Sequence, residues 1–191
     1  MARICKETGV PVRFNIMLRD MIIQDLSRRD NRRIEVLADD LPLYHGTQLA
    51  IDTTMVSALS REGQPRLRSD TVDGAALAEA RNRKNGTYPE LSSPGGRARL
   101  VVVGTECGGR FSTEAWNFLR LLANSKVRAE PELNRTSAAT AWRRRWAGML
   151  AVASQRAFAE SLLDKVVTRS ADGPTPHAAT VLEEDRYGDV V

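Results

Sequence analysis

Residues 33–54 read RIEVLADDLPLYHGTQLAIDTT, and the fold turns on how the two apolar runs, RIEVLA and QLAIDTT, are joined. Each run is short and apolar, and the segment between them carries two acids, Pro42 and Gly46, the punctuation of a strand, a turn and a second strand. The second run closes on Asp52, an acid set between Ile51 and a pair of threonines. Antiparallel pairing of Ala38 with about Gln48 brings Glu35 opposite Ile51, one position from Asp52, so two carboxylates meet at the open end of a hairpin. Like charges a few ångströms apart raise one another's pKa, and oxygen ligands at that spacing suit Mg²⁺ or Mn²⁺. An acid at a strand end also serves as the first solvated residue of a loop, and the hairpin alone leaves both readings open. Asp39 and Asp40 fall by the turn, roughly 13 to 17 Å up the strand from Asp52 at about 3.3 Å per residue, and read as turn and capping acids.

Around this stretch, 191 residues with 42% apolar composition fit one ordinary domain able to bury a core. No apolar run is long enough for a membrane span, and MARICKETGVPVRF lacks the apolar segment of a secretory signal, so an intracellular chain with no membrane partner is expected. The net charge of +4 is modest. Arginine and lysine cluster at Arg28/Arg29/Arg32/Arg33, at Arg81/Arg83/Lys84 and at Arg143/Arg144/Arg145, which permits a phosphate-rich partner. Two cysteines, Cys5 and Cys107, with His45 and His177 do not make a zinc site by spacing.

Along the chain, residues 1–30 read as an N-terminal arm, either a short helix or an extended packed segment. A helix follows from Asp73 as N-cap, with Leu77, Ala80, Lys84 and Tyr88 on one stripe and a stop at Gly86 to Pro89. RLVVVGTE reads as a strand covered on both faces. Ser112 caps a helix with an apolar stripe of Ala115, Phe118, Leu119 and Leu122, and a long helix runs from about Ser137 to Asp164 with Trp142, Trp146, Met149, Leu150, Ala153, Ala157 and Leu162 on its apolar face. Residues 166–191 lack periodicity and read as a disordered tail. The expected class is α/β, a mixed central sheet of three to five strands flanked by helices over residues 31–165.

Lys84 stands on the inward stripe of its helix, where a long cation is out of place unless an acid meets it, and Tyr88 follows one turn later. The order of acid, hairpin, acid in an I-D-T-T context, a helix bearing R-x-R-K-x-x-x-Y, an apolar strand and a Trp-containing helix resembles the restriction-like endonuclease domain at the C-terminus of site-specific non-LTR retrotransposon polyproteins, within the broad PD-(D/E)xK nuclease class. The resemblance covers roughly residues 5 to 165. It implies a restriction-endonuclease-like fold and a nuclear, Mg²⁺-dependent (or Mn²⁺-dependent) DNA endonuclease. Glu35 and Asp52 would hold the metal, Lys84 would position the attacking water and Tyr88 would support Lys84. Arg81, Arg83, Arg143, Arg144 and Arg145 would meet DNA phosphates, and the chain would partner the reverse-transcriptase portion of a longer product. Cys5, in C-K-E-T-G, stands where such proteins place the last ligand of a zinc knuckle. The chain departs from the pattern in three ways: R-I-E replaces P-D at the first acid, the gap to Asp52 is longer than usual, and Thr54 occupies the lysine position of the wider class. A catalytically inactive nucleic-acid-binding or structural remnant is the alternative. Glu106 is a candidate supporting ligand at a strand end, more in keeping with a structural role.

Overall fold

The two runs of the central stretch are neighbouring strands of a four-stranded mixed sheet in the computed structural model, which describes residues 1–23, 26–27, 29–60, 63–92 and 96–169. We label them β2 (Arg33–Ala38) and β3 (Gln48–Val56). They pair antiparallel with Val36 against Ile51 and Ala38 against Leu49, one residue away from the expected alignment. The next step of that register sets Glu35 level with Asp52 itself. β3 does not stop at Asp52: Thr53, Thr54 and Val56 are β-branched and carry the strand four residues further. They can do so because β3 pairs in parallel with β4 (Ala98–Glu106) along its whole length, from Gln48 against Ala98 to Val56 against Glu106.

β1 (Val12–Met17) closes the other edge, antiparallel to β2, giving the order β1-β2-β3-β4. The segment read as an arm thus contributes α1 (Ala2–Glu7) and an edge strand. One sheet face carries Val36, Ala38, Leu49, Ile51, Val101 and Val103 under α1, α3 (Thr113–Lys126) and the first half of α4 (Glu132–Arg169). The opposite face carries Ile34, Leu37, Ala50, Leu100 and Val102 beneath Leu18, Met21, Tyr88 and Leu91. At about 1.5–3 kcal/mol per fully buried large aliphatic or aromatic side chain, these two layers are the main stabilising term.

α2 (Ala75–Thr87) lies on that second face, contacting β3 and β4, with Leu77 and Ala80 packed beside Val56. Asp73 is not its N-cap. Gly74 takes that position at φ 75°, a left-handed conformation that glycine adopts without strain, while exposed Asp73 pairs with Arg110 at 2.8 Å. α2 approaches β4 closely at Gly104, where an added Cβ would stand 3.0 Å from Leu77 Cδ2 and 3.4 Å from Ser112 Cβ. Gly104→Ala is therefore expected to cost about 1–2 kcal/mol in urea unfolding by displacing the helix that carries Lys84. A melt identical to wild type would show that Leu77 gives way freely.

Ser112 caps α3 as expected, its hydroxyl accepting from the Ala115 amide at 3.1 Å. α4 begins five residues before the expected start, immediately after Pro131, whose fixed φ suits a helix entrance. Periodicity missed that first turn because its large apolar residue, Leu133, is 94% exposed. On the apolar face of α4, Trp146 and Leu150 are buried and Trp142 and Met149 half-buried, but Ala153, Ala157 and Leu162 are exposed. Residues 1–154 form one compact unit, and a second begins at Gln155, helical to Arg169. Of the segment read as a disordered tail, residues 166–169 are helical and 170–191 lie outside the described residues.

Candidate active site

Asp52 sits at a fork in the sheet. The β2–β3 ladder runs as far as the Val36–Ile51 pair, while β3 continues alone beside β4. Beyond the fork, β3 backbone groups that faced β2 need other partners. Glu35 supplies one: its Oε2 accepts from the Thr53 amide at 3.1 Å and from the Thr53 hydroxyl at 2.5 Å. Asp52, one residue earlier, is only 2% exposed and belongs to the face covered by α2 and Tyr88. The question raised by an acid within an apolar strand has a structural answer, since the carboxylate is buried in mid-strand beneath α2, not in a loop.

α2 brings the counter-charge. Leu77, Ala80 and Lys84 share a stripe, so the helix that buries the first two against the sheet carries Lys84 over Asp52, and Nζ lies 2.7 Å from Oδ2. The Asp52 carboxyl is nevertheless pushed above the usual aspartate range. Burial is the main cause; Lys84 opposes it, and the charge and hydrogen bonding of Glu35 add to it. Oδ2 is ion-paired with Lys84 yet lacks a well-formed hydrogen bond, so its acceptor capacity is not fully used. Tyr88 is 7% exposed and donates its hydroxyl to the Arg33 carbonyl at 2.8 Å, tying the end of α2 to β2. Burial raises its pKa, with the Asp52 charge next in importance.

No protein-family model matches this chain, and no curated protein matches its sequence.

The remaining candidates divide by what they touch. Arg81 donates to Glu114 at 2.5 Å and to the Asn85 side chain, linking α2 to the first turn of α3. Arg83 and Arg144 are exposed, whereas Arg145 pairs with Glu7 at 3.1 Å. Asp39 behaves as a turn acid, paired with Arg13 at 3.0 Å and accepting from Gln48 at 2.5 Å. Glu106 pairs with Arg110 at 3.6 Å. Cys5 is fully buried in the α1 side of the core, and burial pushes its thiol up to about 11, which leaves it poorly placed to bind an external metal.

Two structural partners escaped the sequence reading. Thr53 answers Glu35 from the next residue of the fork, and Arg32 clamps the chain before β2 to the exit of α2, pairing with Asp30 at 2.6 Å and Glu90 at 2.7 Å and donating to the Thr87 carbonyl. Apart from the local Arg32–Asp30 pair, these contacts join residues distant in sequence, and periodicity carries no signal for them.

Among the described residues, no three His, Cys, Asp or Glu side chains group to hold a metal ion. Mg²⁺ needs fewer: it is commonly held by one or two carboxylates, with water and substrate phosphate completing the shell. Glu35 and Asp52, with the under-used Oδ2, fit that requirement, Glu35 by an oxygen not engaged with Thr53.

Proposed function

We propose that this chain is a divalent-metal-dependent DNA endonuclease hydrolysing phosphodiester bonds, with a restriction-endonuclease-like arrangement derived from a retrotransposon. The observation that carries the proposal is the Lys84–Asp52 contact of 2.7 Å at a buried acid level with Glu35. Mg²⁺ or Mn²⁺, when bound by Glu35 and Asp52, would supply Lewis-acid stabilisation of phosphate charge. The chain's own residues do the rest. Lys84 places an ammonium beside the scissile phosphate, where it orients the attacking water and offsets negative charge growing on the phosphoryl oxygens. Asp52 holds that ammonium in place, and Glu35 keeps the β3 edge fixed through Thr53. Tyr88 acts through position, anchoring the helix exit to β2.

Nicking of supercoiled plasmid tests this reading. Wild type is expected to nick with Mg²⁺ or Mn²⁺ and to stop when the metal is chelated, and Asp52→Asn is expected to lose at least about 100-fold in rate. Because catalysis requires ionised Asp52, and burial raises its pKa, the rate should climb as pH rises through a value above the ordinary carboxylate range. Wild type that never nicks under either metal would sink the enzyme reading. A second reading, a non-catalytic nucleic-acid-binding or structural remnant, has its own support: Lys84 already neutralises Asp52, and Glu35 already caps Thr53.

A further inference from the structure

Arginines in this chain are commonly neutralised: Arg13 by Asp39, Arg32 by Asp30 and Glu90, Arg66 by Glu79, Arg81 by Glu114, Arg110 by Asp73 and Arg145 by Glu7. A groove of about 340 Å³ between α3 and α4 breaks the pattern, being lined by Arg120, Arg135 and Arg143 with no carboxylate in its wall. Among the described residues none of the three is in an ion pair. Arg135 donates to the Glu130 carbonyl at 2.9 Å, and Arg120 approaches the Asn117 side-chain oxygen at 3.5 Å.

The groove is built by sequence spacing. Arg120, Ala123 and Asn124 stand at i, i+3 and i+4 on α3 with Val127 just past its end, and Thr136, Ala139, Thr140 and Arg143 stand at i, i+3, i+4 and i+7 on α4. The small Ala123 and Ala139 leave space between the helices, while Asn124 and Thr136 add uncharged hydrogen-bonding groups. Three guanidinium groups that cannot deprotonate repel one another across this space, and an anion relieves the repulsion.

We infer that this groove binds the phosphodiester backbone of a nucleic acid. A linear polyanion fits better than a single phosphate because Arg135 and Arg143 are eight residues apart on one helix, a rise of about 12 Å, over which one DNA strand carries three to four phosphates. α3 packs on the sheet face opposite the one to which Asp52 belongs, so the groove is a second contact surface, and the inference stands without cleavage at Lys84.

The test is binding of a labelled duplex of about 20 base pairs across a salt series, using the full chain. Arg120→Gln/Arg135→Gln/Arg143→Gln is expected to lose at least about tenfold in affinity at 0.1 M salt and to flatten the slope of log K against log salt by about 2 to 3. The matching triple lysine variant should retain most of both, separating charge from packing. If the glutamine triple fails to fold by circular dichroism, Arg120→Gln and Arg143→Gln alone should each flatten the slope by about 1. A glutamine triple, or folded single variants, with wild-type affinity and slope would overturn the inference. So would tighter binding to phosphatidylserine vesicles than to DNA at equal salt. Asp52→Asn assayed in parallel keeps the two proposals apart: it should lose nicking while retaining the wild-type salt slope.

Discussion

Lys84→Ala is expected to lower metal-dependent nicking by at least about 100-fold while changing DNA affinity less than about threefold. In the proposed mechanism the rate effect follows from losing a cation that would stand against a developing phosphate charge, a kind of group worth about 10²–10³ in rate. The affinity effect is small because one cation among many phosphate contacts contributes little to binding. The same variant should also destabilise the fold, by up to about 3 kcal/mol near neutral pH, since removing one partner leaves a buried charge uncompensated. The pH dependence of that loss has a definite sign. Asp52 has a raised folded-state pKa, so its burial is least unfavourable when it is protonated, below the ordinary aspartate value, and becomes more unfavourable as pH rises through the folded value. Lys84 opposes that cost only while Asp52 is ionised. Destabilisation by Lys84→Ala should therefore be larger at pH 8 than at pH 4, and Asp52→Leu/Lys84→Met should recover much of the stability without recovering any nicking. Undiminished nicking by Lys84→Ala would remove this residue from the mechanism.

The sequence carried the elements whose physics is local. RIEVLA and QLAIDTT announced strands, RLVVVGTE a doubly covered one, and Ser112 a helix start, because alternation, continuous apolar runs and caps are written within a few residues. The out-of-place cation on the α2 stripe was also legible, since a lysine among Leu77 and Ala80 demands an acid across the interface, and Asp52 is that acid. What stayed hidden depended on tertiary partners. β1 reads ambiguously because an edge strand buries little: Arg13, Phe14 and Asn15 are exposed. The one-residue error in the β2–β3 alignment came from a long connection whose turn geometry does not fix register, here a 3-10 turn at Tyr44–Gly46 with Tyr44 itself at positive φ. The Arg143 to Arg145 run looked like one basic patch, yet helical geometry sends its members apart, Arg143 into the α3–α4 groove and Arg145 to Glu7.

Trp146→Ala should cost about 3–5 kcal/mol, the largest loss expected from any single core truncation in this chain. Trp146 is fully buried, packs 5.3 Å from the Trp142 ring, and donates its indole N–H to Glu7 at 2.8 Å, so it joins α4 to α1 across the core. Trp146→Phe separates the two contributions, retaining most of the apolar burial while leaving Glu7 to Arg145 and Arg3, at a cost of about 1–2 kcal/mol. Glu7 gives that variant a pH signature. Its carboxyl is held below the usual glutamate range, first by the Arg145 hydrogen bond, with burial opposing and the indole of Trp146 adding to the depression. A depressed carboxylate contributes stability that is full above its unfolded pKa and disappears as pH falls through the folded one. Wild type should accordingly lose stability below about pH 4.3, the ordinary glutamate value, and Trp146→Phe should lose less over that interval because part of the depression has gone. Urea unfolding at pH 7 and pH 3.5 measures both effects. If Trp146→Ala unfolds at the wild-type midpoint, α4 is not held to the core through this residue; if Trp146→Phe shows the full acid-side loss, the indole does not stabilise the Glu7 carboxylate and Arg145 with Arg3 accounts for it.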